Sequence, residues 1–574
     1  MKTTLKNQNR KTSDSAFLTK ADYICQLVLV FIFAVLAFFR LGNTVIPSSA
    51  YTADTKNPDI ILDFGESTDV VSAAIFLGHL GNRHFSISAF NEATGSWDVF
   101  IPDTFVKSAF AWDVMAINYR LRYLGIVAKD DEAVINEIVF IRADGTPIQP
   151  VNAGDYPTLF DEQELLPSAN TYLTGSMFDE TFQARTAYEY LNGLPAYEIV
   201  HPPLGKILIS LGISLFGMHP FGWRFMSVLF GICIIPLIYL FAKRSFKNTF
   251  IAAATSALLT FDCMHFTLSR IATIDIFAAF FILLMYYFMY RYFAEDSLYR
   301  ASASSHKDVF PPPKVYLPLA LSGISMALGI ATKWTGVFAG IGLAILFIWY
   351  TISHYPGKQT LRLFFFCCLF FILIPGAVYV LSFIPVVGFT HSGLIDKVIQ
   401  ASQYIFTYHS TLVDEHYYSS RFYEWPFIWM PLLCTSSMEG IGKMSSISTM
   451  GNPAIWWTGI FCQLYVLFRW ILKKDKKAGF LCISYLAQYI PWMFVSRTTY
   501  IYHYFPASLF MILMIGYTML HIKEHFPYGK KMITVYMAIV VLCFFLFFPL
   551  VSGFPVSREY GLSLRWLKDW ILVV

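Results

Sequence analysis

Long apolar runs constrain the fold of this chain more than any other feature of its sequence. A helix needs about 20 apolar residues to cross the hydrocarbon core of a bilayer. Runs of this kind lie at 23–41, 221–241, 249–268, 272–292, 315–333, 335–353, 363–385, 453–471, 478–496, 502–521 and 532–551. We therefore predict a polytopic α-helical membrane protein with about eleven transmembrane helices.

The composition agrees with this prediction. Of the 574 residues, 56% are hydrophobic and 14% are charged, whereas ordinary globular proteins carry about 25% charged residues. The net charge of +4 requires no polyanionic partner. These values exclude a soluble enzyme, a disordered chain and a nucleic-acid-binding protein, and they predict membrane lipids as neighbours. The nine cysteines include no Cys-x-x-Cys pair and no metal-ligand spacing, so neither a disulfide framework nor a metal site is predicted.

Positive charges in the short connections predict the orientation in the membrane. Lys and Arg concentrate in the N-terminal tail and in every second connection between predicted spans, as cytoplasmic loops do. The first run is followed by no small-residue cleavage site, so we expect an uncleaved anchor. If the short run 204–217 crossed the membrane, every later loop would change sides and the charge bias would be lost. We therefore predict an interfacial helix there. The charge bias places the N-terminus in the cytoplasm, and an odd number of spans then places the C-terminus outside.

A soluble insert is predicted after the first span. Short runs such as Arg83–Phe90 and Glu137–Ile141 alternate apolar and polar residues and are separated by turn signals, which is typical of a small β-sandwich. The stretch 112–149 resembles the discoidin-type, galactose-binding-like sandwich. Two interpretations are open, a sugar-binding domain and a spacer packed on the membrane domain.

The predicted organisation follows from these patterns. It comprises a cytoplasmic basic tail at 1–22, a first transmembrane helix at 23–41, the extracytoplasmic β-sandwich insert at 43–165, an outer loop with an Asp-Glu pair and interfacial helices at 166–220, transmembrane helices 2–7 at 221–385, a second large outer loop at 386–452, transmembrane helices 8–11 at 453–551 and an extracytoplasmic tail at 552–574.

Charged and polar side chains concentrate at the outer ends of the predicted spans. Acids at a helix N-terminus, such as Asp179 and Glu180, can simply complement the helix dipole. A charge at the centre of a bilayer costs roughly 2.5–3.5 kcal/mol, however, so a convergent set of them indicates a function. The set that we predict to line one outer cavity also contains Arg224, Asp262, His265, Arg270, Asp275, Lys333, Arg497 and His503.

Such a cavity suits a lipid-linked sugar phosphate. Cationic side chains would neutralise the phosphate, and a carboxylate would take the proton of an acceptor hydroxyl. The candidates for the phosphate are Arg224, Arg270, Lys333 and Arg497, and those for the base are Asp179 and Glu180. Because phosphate is a good leaving group once neutralised, the scheme requires no protonating acid. It also requires no divalent metal ion, for which the sequence offers no clear ligand set.

An ordered set of short motifs between about 180 and 510 resembles the protein O-mannosyltransferase family. The motifs are FDETFQARTAYEYLNG, HPPLGK, FGWR, the spaced set Asp262, His265, Arg270 and Asp275, ATKWTG, and QYIPW followed by YHYFP. The resemblance implies a GT-C fold with eleven spans, a cytoplasmic N-terminus and a polyprenyl-phosphate sugar donor. The loop 386–452 is too short for the β-trefoil MIR domain of eukaryotic members, which implies a bacterial-type member in the plasma membrane.

The resemblance also implies individual roles. Asp179 matches the family's general base, Glu180 would help to place the acceptor, and Arg224 matches an arginine near the donor phosphate. His201, Lys206, Arg270, Lys333 and His503 lie on matching motifs. The implied reaction is an inverting transfer of mannose from polyprenyl phosphate to Ser or Thr hydroxyls of exported proteins, with no cofactor beyond the lipid-linked donor.

Three alternatives remain open from the sequence. A related GT-C transferase could move another lipid-linked sugar or use a lipid or glycan acceptor, as aminoarabinose transferases to lipid A do. A transporter or flippase would show internal repeats and charges in mid-span, which this sequence lacks. A sugar-binding membrane receptor would keep the insert without catalysis. The sugar, the acceptor and the oligomeric state are not encoded in any pattern we recognise.

Overall fold

The computed structural model describes residues 17–54, 59–78, 83–106, 109–129, 132–302, 312–355, 358–388, 393–412 and 416–574. Most of the predicted basic tail at 1–22 lies outside the described residues. The chain enters its first apolar helix, α1 (Lys20–Phe38), through a capping box in which Thr19 and Asp22 bond each other's backbone N–H groups.

The segment after α1 forms the predicted β insert. Its strands are β1 (Tyr51–Asp54), β2 (Asp59–Leu77), β3 (Arg83–Asn91), β4 (Ser96–Val106), β5 (Ala111–Ala128), β6 (Glu132–Ile135), β7 (Glu137–Ile141) and β8 (Pro147–Ile148). Six of them make an antiparallel sheet in the order β4-β3-β5-β2-β7-β8, and β1 pairs with β6 in a second sheet. The β-sandwich prediction agrees with this arrangement, whereas the galactose-binding-like resemblance stays a prediction.

The two faces of the long strand β2 pack against different parts of the molecule. Ala73, Ile75 and Leu77 belong to the insert's own core. Alternate residues Ala74 and Phe76 belong instead to the core of the membrane domain. Because side chains alternate across a strand, one face of the sheet is buried against the helices. This supports the interpretation of the insert as a domain packed on the membrane domain.

Two short helices lie between the insert and the next long helix. The helix α2 (Glu180–Asn192) ends at Gly193, whose φ of 63° is the left-handed conformation common after helices. The helix α3 (Leu204–Phe216) has 13 residues, too few to cross a bilayer. Its length agrees with the predicted interfacial helix.

The remaining helices build the membrane domain and a second outer loop. They are α4 (Pro220–Phe246), α5 (Thr249–Thr260), α6 (Cys263–Ser269), α7 (Asp275–Ser302), α8 (Pro313–Thr332), α9 (Thr335–His354), α10 (Lys358–Cys368), α11 (Ile374–Ser382), α12 (Leu394–Thr411), α13 (Pro453–Lys473), α14 (Lys476–Tyr489), α15 (Phe505–His525), α16 (Gly529–Ser552) and α17 (Arg558–Ser563). A hairpin of β9 (Leu432–Met438) and β10 (Lys443–Thr449) precedes α13, and β11 (Val556–Ser557) pairs with β10.

The number of spans differs from the predicted eleven. Within the described ranges, nine helices are long and apolar enough to cross a membrane, if α10 and α11 are counted as one helix with the π-helical turn Leu369–Leu373 between them. The pair α5 and α6, bent by 59°, makes a tenth if it is one span. The run 478–496 does not form a helix of spanning length. The helix α14 ends at Tyr489 after 14 residues, and a 3₁₀ turn, Ile490–Phe494, follows. Pro491 lacks the N–H that would continue the helical hydrogen bonds.

Candidate active site

Asp179 and Glu180 are neighbours at the start of α2, yet their side chains lie in different surroundings. The preceding residue, Phe178, has a φ of 52°, a conformation that is strained for a residue with a side chain. Glu180 is fully buried, whereas Asp179 is half-buried. The Asp179 side chain makes no capping hydrogen bond to α2, so the carboxylate does not serve as a helix cap.

Glu180 forms a buried, bidentate ion pair with Arg224 of α4. The Nε and one terminal nitrogen of Arg224 lie 2.7 Å from the two carboxylate oxygens. The backbone N–H groups of Met177 and Ala272 donate to the same carboxylate at 3.0 and 2.9 Å. Glu180 therefore joins the outer loop, α4 and the segment before α7.

The geometry argues against the prediction that Arg224 binds the donor phosphate. Its remaining N–H groups donate to the carbonyl oxygens of Leu41, Tyr172 and Gly175 at 2.7–3.0 Å. With the two bonds to Glu180, all five guanidinium donors are used, and Arg224 is 0% exposed. A phosphate would have to break an existing hydrogen bond to reach this side chain.

Arg270 is held in the same way. It donates to the carbonyl oxygens of Ala37, Phe39, Arg40 and Ser552 at 2.7–3.1 Å. These bonds tie the end of α1 to the end of α16. Like Arg224, Arg270 stabilises the packing of helix ends and does not face an open cavity.

Asp262 and His265 also lie inside the helix packing. Asp262 accepts hydrogen bonds from the backbone N–H of Asn452 and from the Trp456 indole at 3.0 and 3.1 Å. Both ring nitrogens of His265 lie 3.0 Å from backbone carbonyl oxygens, and its ring stacks on Phe33. Neither side chain is exposed, and their printed contacts hold helices together, so a role for these two residues in the site stays a prediction.

A second group of the predicted residues does come together around Asp179. Lys333, at the end of α8, pairs with Asp275 at the start of α7 across 2.7 Å. The Lys333 ammonium also lies 5.5 Å from the ring of Tyr502, which Phe178 contacts edge-on at 5.8 Å. Four parts of the chain thus meet at one place: the start of α2, the start of α7, the end of α8 and the turn before α15.

The electrostatic surroundings of Asp179 suit a proton acceptor. Burial and the nearby carboxylate of Asp275 raise the pKa of Asp179 to about 7, although Lys333 and Arg497 oppose the shift. Within the described part of the chain, its carboxylate forms neither a hydrogen bond nor an ion pair. An unpaired carboxylate that titrates near neutral pH can accept a proton from a substrate.

Arg497 is the cation of this group that is not committed to another side chain. In the described ranges it makes no hydrogen bond and no ion pair, and it is partly exposed. It lines a cavity of about 750 Å³ together with His416, Arg421 and Glu424. The charge of Arg497 also lowers the pKa of Asp179, so the cavity lies close enough to this carboxylate for an electrostatic interaction.

Histidines complete the surroundings, and one of them was not among the predicted site residues. The rings of His201 and His409 lie 5.1 Å apart, and His409 Nε2 contacts the Val200 carbonyl at 2.8 Å. Burial, then Lys333, lowers the pKa of His201 well below its usual value, and burial, then Arg497, lowers that of His409 to about 4. Both rings are therefore neutral at physiological pH. No spacing links His409 on α12 to the other motifs, which is why sequence patterns missed it.

The two other predicted residues lie at the edge of this group. Lys206 is fully buried and pairs with Glu198. His503 is also buried, and its Nδ1 accepts the Tyr500 N–H at 3.1 Å. Its Nε2 has no hydrogen-bond partner among the residues that the structure describes.

Two family models match consecutive parts of the chain. Residues 218–390 match "Dolichyl-phosphate-mannose-protein mannosyltransferase", and residues 394–570 match "C-terminal four TMM region of protein-O-mannosyltransferase". The chain belongs to the protein O-mannosyltransferase family. The family resemblance predicted from the motifs is thereby confirmed. Both matched regions begin after the β insert.

Curated relatives come from the same family. The polyprenol-phosphate-mannose–protein mannosyltransferase of Mycobacterium tuberculosis is 26% identical over 453 residues, which cover 69% of this chain and 86% of that protein. The protein of the same name from Corynebacterium glutamicum is 24% identical over 423 residues, covering 65% of this chain and 81% of that protein.

A solved structure shares the fold. The Saccharomyces cerevisiae protein O-mannosyltransferase Pmt1-Pmt2 complex bound to the sugar donor matches with a TM-score of 0.58 at 15% identity, covering 69% of this chain and 89% of that chain. The predicted GT-C fold is confirmed by this likeness.

Proposed function

We propose that the chain is an inverting glycosyltransferase that moves mannose from a polyprenyl-phosphate donor to Ser or Thr hydroxyls of exported proteins. Family membership and the names of the relatives support the reaction class. The observation that carries the site assignment is the unpaired Asp179 carboxylate, with its pKa near 7, beside Lys333 and Arg497. The neutral histidines and aromatic side chains around it suit a sugar in a partly dry pocket.

The proposed reaction is a single displacement at the anomeric carbon. Asp179 takes the proton of the acceptor hydroxyl while the acceptor oxygen bonds to the anomeric carbon. The bond from that carbon to the phosphate oxygen breaks, and the electron pair leaves with polyprenyl phosphate. Attack opposite to the leaving group inverts the anomeric centre, and no second carboxylic acid is needed, unlike in a glycoside hydrolase.

The cations divide into two groups in this proposal. Arg497, which has free N–H groups, and Lys333 stabilise the charge that develops on the leaving phosphate. Arg224 keeps the peptide around Asp179 in place through Glu180, and Arg270 holds the helix ends. Glu180 is thus a positioning residue. Of the four cations predicted to bind the donor phosphate, Arg497 and Lys333 keep this role in the proposal, and Arg224 and Arg270 do not.

The proposed location follows from the orientation predicted by the positive charges. The N-terminus lies in the cytoplasm, and the site around Asp179 opens at the outer face of the plasma membrane. There it meets the lipid-linked donor from the membrane side and the exported acceptor from the aqueous side.

A transfer assay tests the proposal. Purified protein in detergent receives polyprenyl-phosphate mannose labelled in the sugar and a pool of Ser/Thr-rich peptides. We expect labelled peptide from the wild type, none from Asp179→Asn, and about 10- to 100-fold less from Arg497→Ala, the range for a lost charged hydrogen bond. Asp396→Asn is the matched control, since Asp396 is exposed in the first turn of α12.

The outcomes separate the parts of the proposal. Label transferred only from another polyprenyl-phosphate sugar would keep the mechanism and correct the donor. Undiminished transfer by Asp179→Asn would remove Asp179 as the base. No transfer from any lipid-linked sugar would contradict the transferase assignment.

A further inference from the structure

A group of three carboxylates lies away from the candidate active site, where the β insert meets the outer loop. Glu137 begins β7, and Asp161 and Glu162 lie in the loop that leads toward α2. One carboxylate oxygen from each lies within 4.8 Å of the others. Burial decreases from Glu137, which is fully buried, through Glu162 to the exposed Asp161, so the group opens to solvent on one side.

Glu137 is an incompletely bonded carboxylate in the interior. One of its oxygens accepts the Glu162 backbone N–H at 2.9 Å. The other oxygen, Oε1, is buried and has no hydrogen-bond partner among the described residues. Burial of a carboxylate oxygen without a partner is costly, so a native fold rarely retains one without a reason.

The charges around Glu137 do not compensate for its burial. The charged groups that act on Glu137 are Asp161, Glu162 and Glu164, all of them acids. In the described ranges, no Lys, Arg or His pairs with Glu137, Asp161 or Glu162. The group therefore concentrates negative charge that no side chain of the described chain neutralises.

Neighbouring hydroxyl groups hold the two loop carboxylates in position. Ser48 and Ser49 donate their backbone N–H groups to Glu162 at 2.7 and 3.0 Å, and their hydroxyls donate at 3.0 and 2.9 Å. The Ser49 hydroxyl also lies 2.8 Å from Asp161. The segment after α1 thus orders both carboxylates. Three of the four bonds to Glu162 fall on Oε2, and Oε1, which accepts one bond, keeps a lone pair for another ligand.

Three protein carboxylates favour a hard divalent cation, and Ca²⁺ over Mg²⁺, because Mg²⁺ usually keeps several waters and binds only one or two carboxylates. The donor atoms of the group all lie within 4.8 Å of one another, a span that one Ca²⁺ ion with bonds of about 2.3–2.6 Å can bridge.

We propose that Glu137, Asp161 and Glu162 bind a Ca²⁺ ion that fastens the two ends of the β insert to its sheet. The ion would join β7, the end of the insert before α2 and the start of the insert after α1. It would stabilise the insert and take no part in sugar transfer, so the proposal does not depend on the proposed function.

Calcium binding by the full-length protein in detergent tests this proposal. After EDTA treatment and its removal, CaCl₂ is titrated in a calorimeter, and the thermal unfolding midpoint is measured with and without the ion. We expect one site with a Kd on the order of 0.1–1 mM, weaker binding of MgCl₂, and a midpoint that rises with Ca²⁺. Glu137→Gln and Asp161→Asn should each weaken binding at least tenfold and abolish the rise.

The control is Glu66→Gln, which removes an exposed carboxylate from the same strand that pairs with β7. It should bind Ca²⁺ like the wild type. If Glu137 is simply a protonated side chain, Ca²⁺ will change neither heat nor midpoint in the wild type, and Glu137→Gln will behave identically, which overturns the proposal. Equal affinity for Mg²⁺ would overturn the choice of ion.

Discussion

At the scale of single residues, two adjacent acids show how position decides chemistry. Glu180 is saturated by Arg224 and two backbone N–H groups, so it can accept little else. Asp179, one residue earlier, follows Phe178 with its φ of 52°, and its carboxylate has no hydrogen-bond or ion-pair partner among the described residues. Glu180 thus stabilises the fold, and Asp179 is the candidate base.

The raised pKa of Asp179 predicts the pH dependence of transfer. A base must be deprotonated, so the single-turnover rate should rise from pH 5.5 to pH 8 with an inflection near the pKa of about 7. A rate that is constant over this range would contradict the role of Asp179.

The raised pKa of Asp179 also predicts how Asp179→Asn changes the stability of the fold. Because the folded-state pKa lies above the unfolded value of 3.8, ionisation of Asp179 costs stability as pH rises through that interval. Asp179→Asn removes this cost, and its unfolding temperature at pH 8 should equal or exceed that of the wild type. Inactivity of this variant would then reflect chemistry and not misfolding.

At the scale of secondary-structure elements, the ion pair between Glu180 and Arg224 fixes α2 against α4. Removal of one partner from a buried pair costs about 3–5 kcal/mol, since it leaves an uncompensated charge. We therefore expect Arg224→Met to lower the thermal unfolding midpoint and the yield strongly, and Glu180→Leu combined with Arg224→Met to recover much of the loss.

The donor-binding alternative for Arg224 makes a different prediction. If Arg224 held the donor phosphate, Arg224→Met would fold normally and raise the KM for polyprenyl-phosphate mannose. Unfolding midpoints and donor KM values, measured on the same preparations, distinguish the two roles. Arg120→Met, an exposed arginine of the β insert, is the control.

At the scale of the whole molecule, the β insert and the helices share a buried interface. Phe76 and Trp112 pack edge-on at 5.5 Å within the core of the membrane domain. Replacement of a buried Phe by Ala costs about 3–5 kcal/mol. We expect Phe76→Ala to lower the unfolding midpoint of the full chain clearly.

Phe100→Ala is the comparison, because Phe100 on β4 is only partly buried and stacks on Tyr119. It should have a smaller effect. If the insert is a packed spacer, both variants should retain their choice of acceptor peptide per folded molecule. Loss of selected acceptors would instead favour the sugar-binding interpretation.

The sequence by itself determined the membrane class, the β insert and the family. Apolar run length, strand alternation and ordered motifs are local properties, and each is preserved whatever the final packing. Nine or ten apolar helices of the described chain are long enough to span a membrane, close to the eleven predicted runs, and the run 478–496 falls short because α14 ends at Tyr489, before Pro491. The same local patterns also predicted Asp179, Asp275, Lys333 and Arg497 for one outer site, and these four side chains lie near one another in the structure.

Only the tertiary structure decided which charged residues face the cavity and which brace the fold. Arg224, Arg270, Asp262 and His265 carry the same sequence signal as Arg497, since each lies near the outer end of an apolar run. Their roles differ because the rotation of each helix and the position of distant segments determine what each side chain contacts. The guanidinium of Arg224 donates to carbonyl oxygens such as that of Leu41, whereas Arg497 lines an open cavity. Such contacts join residues far apart in the chain, and no local pattern records them.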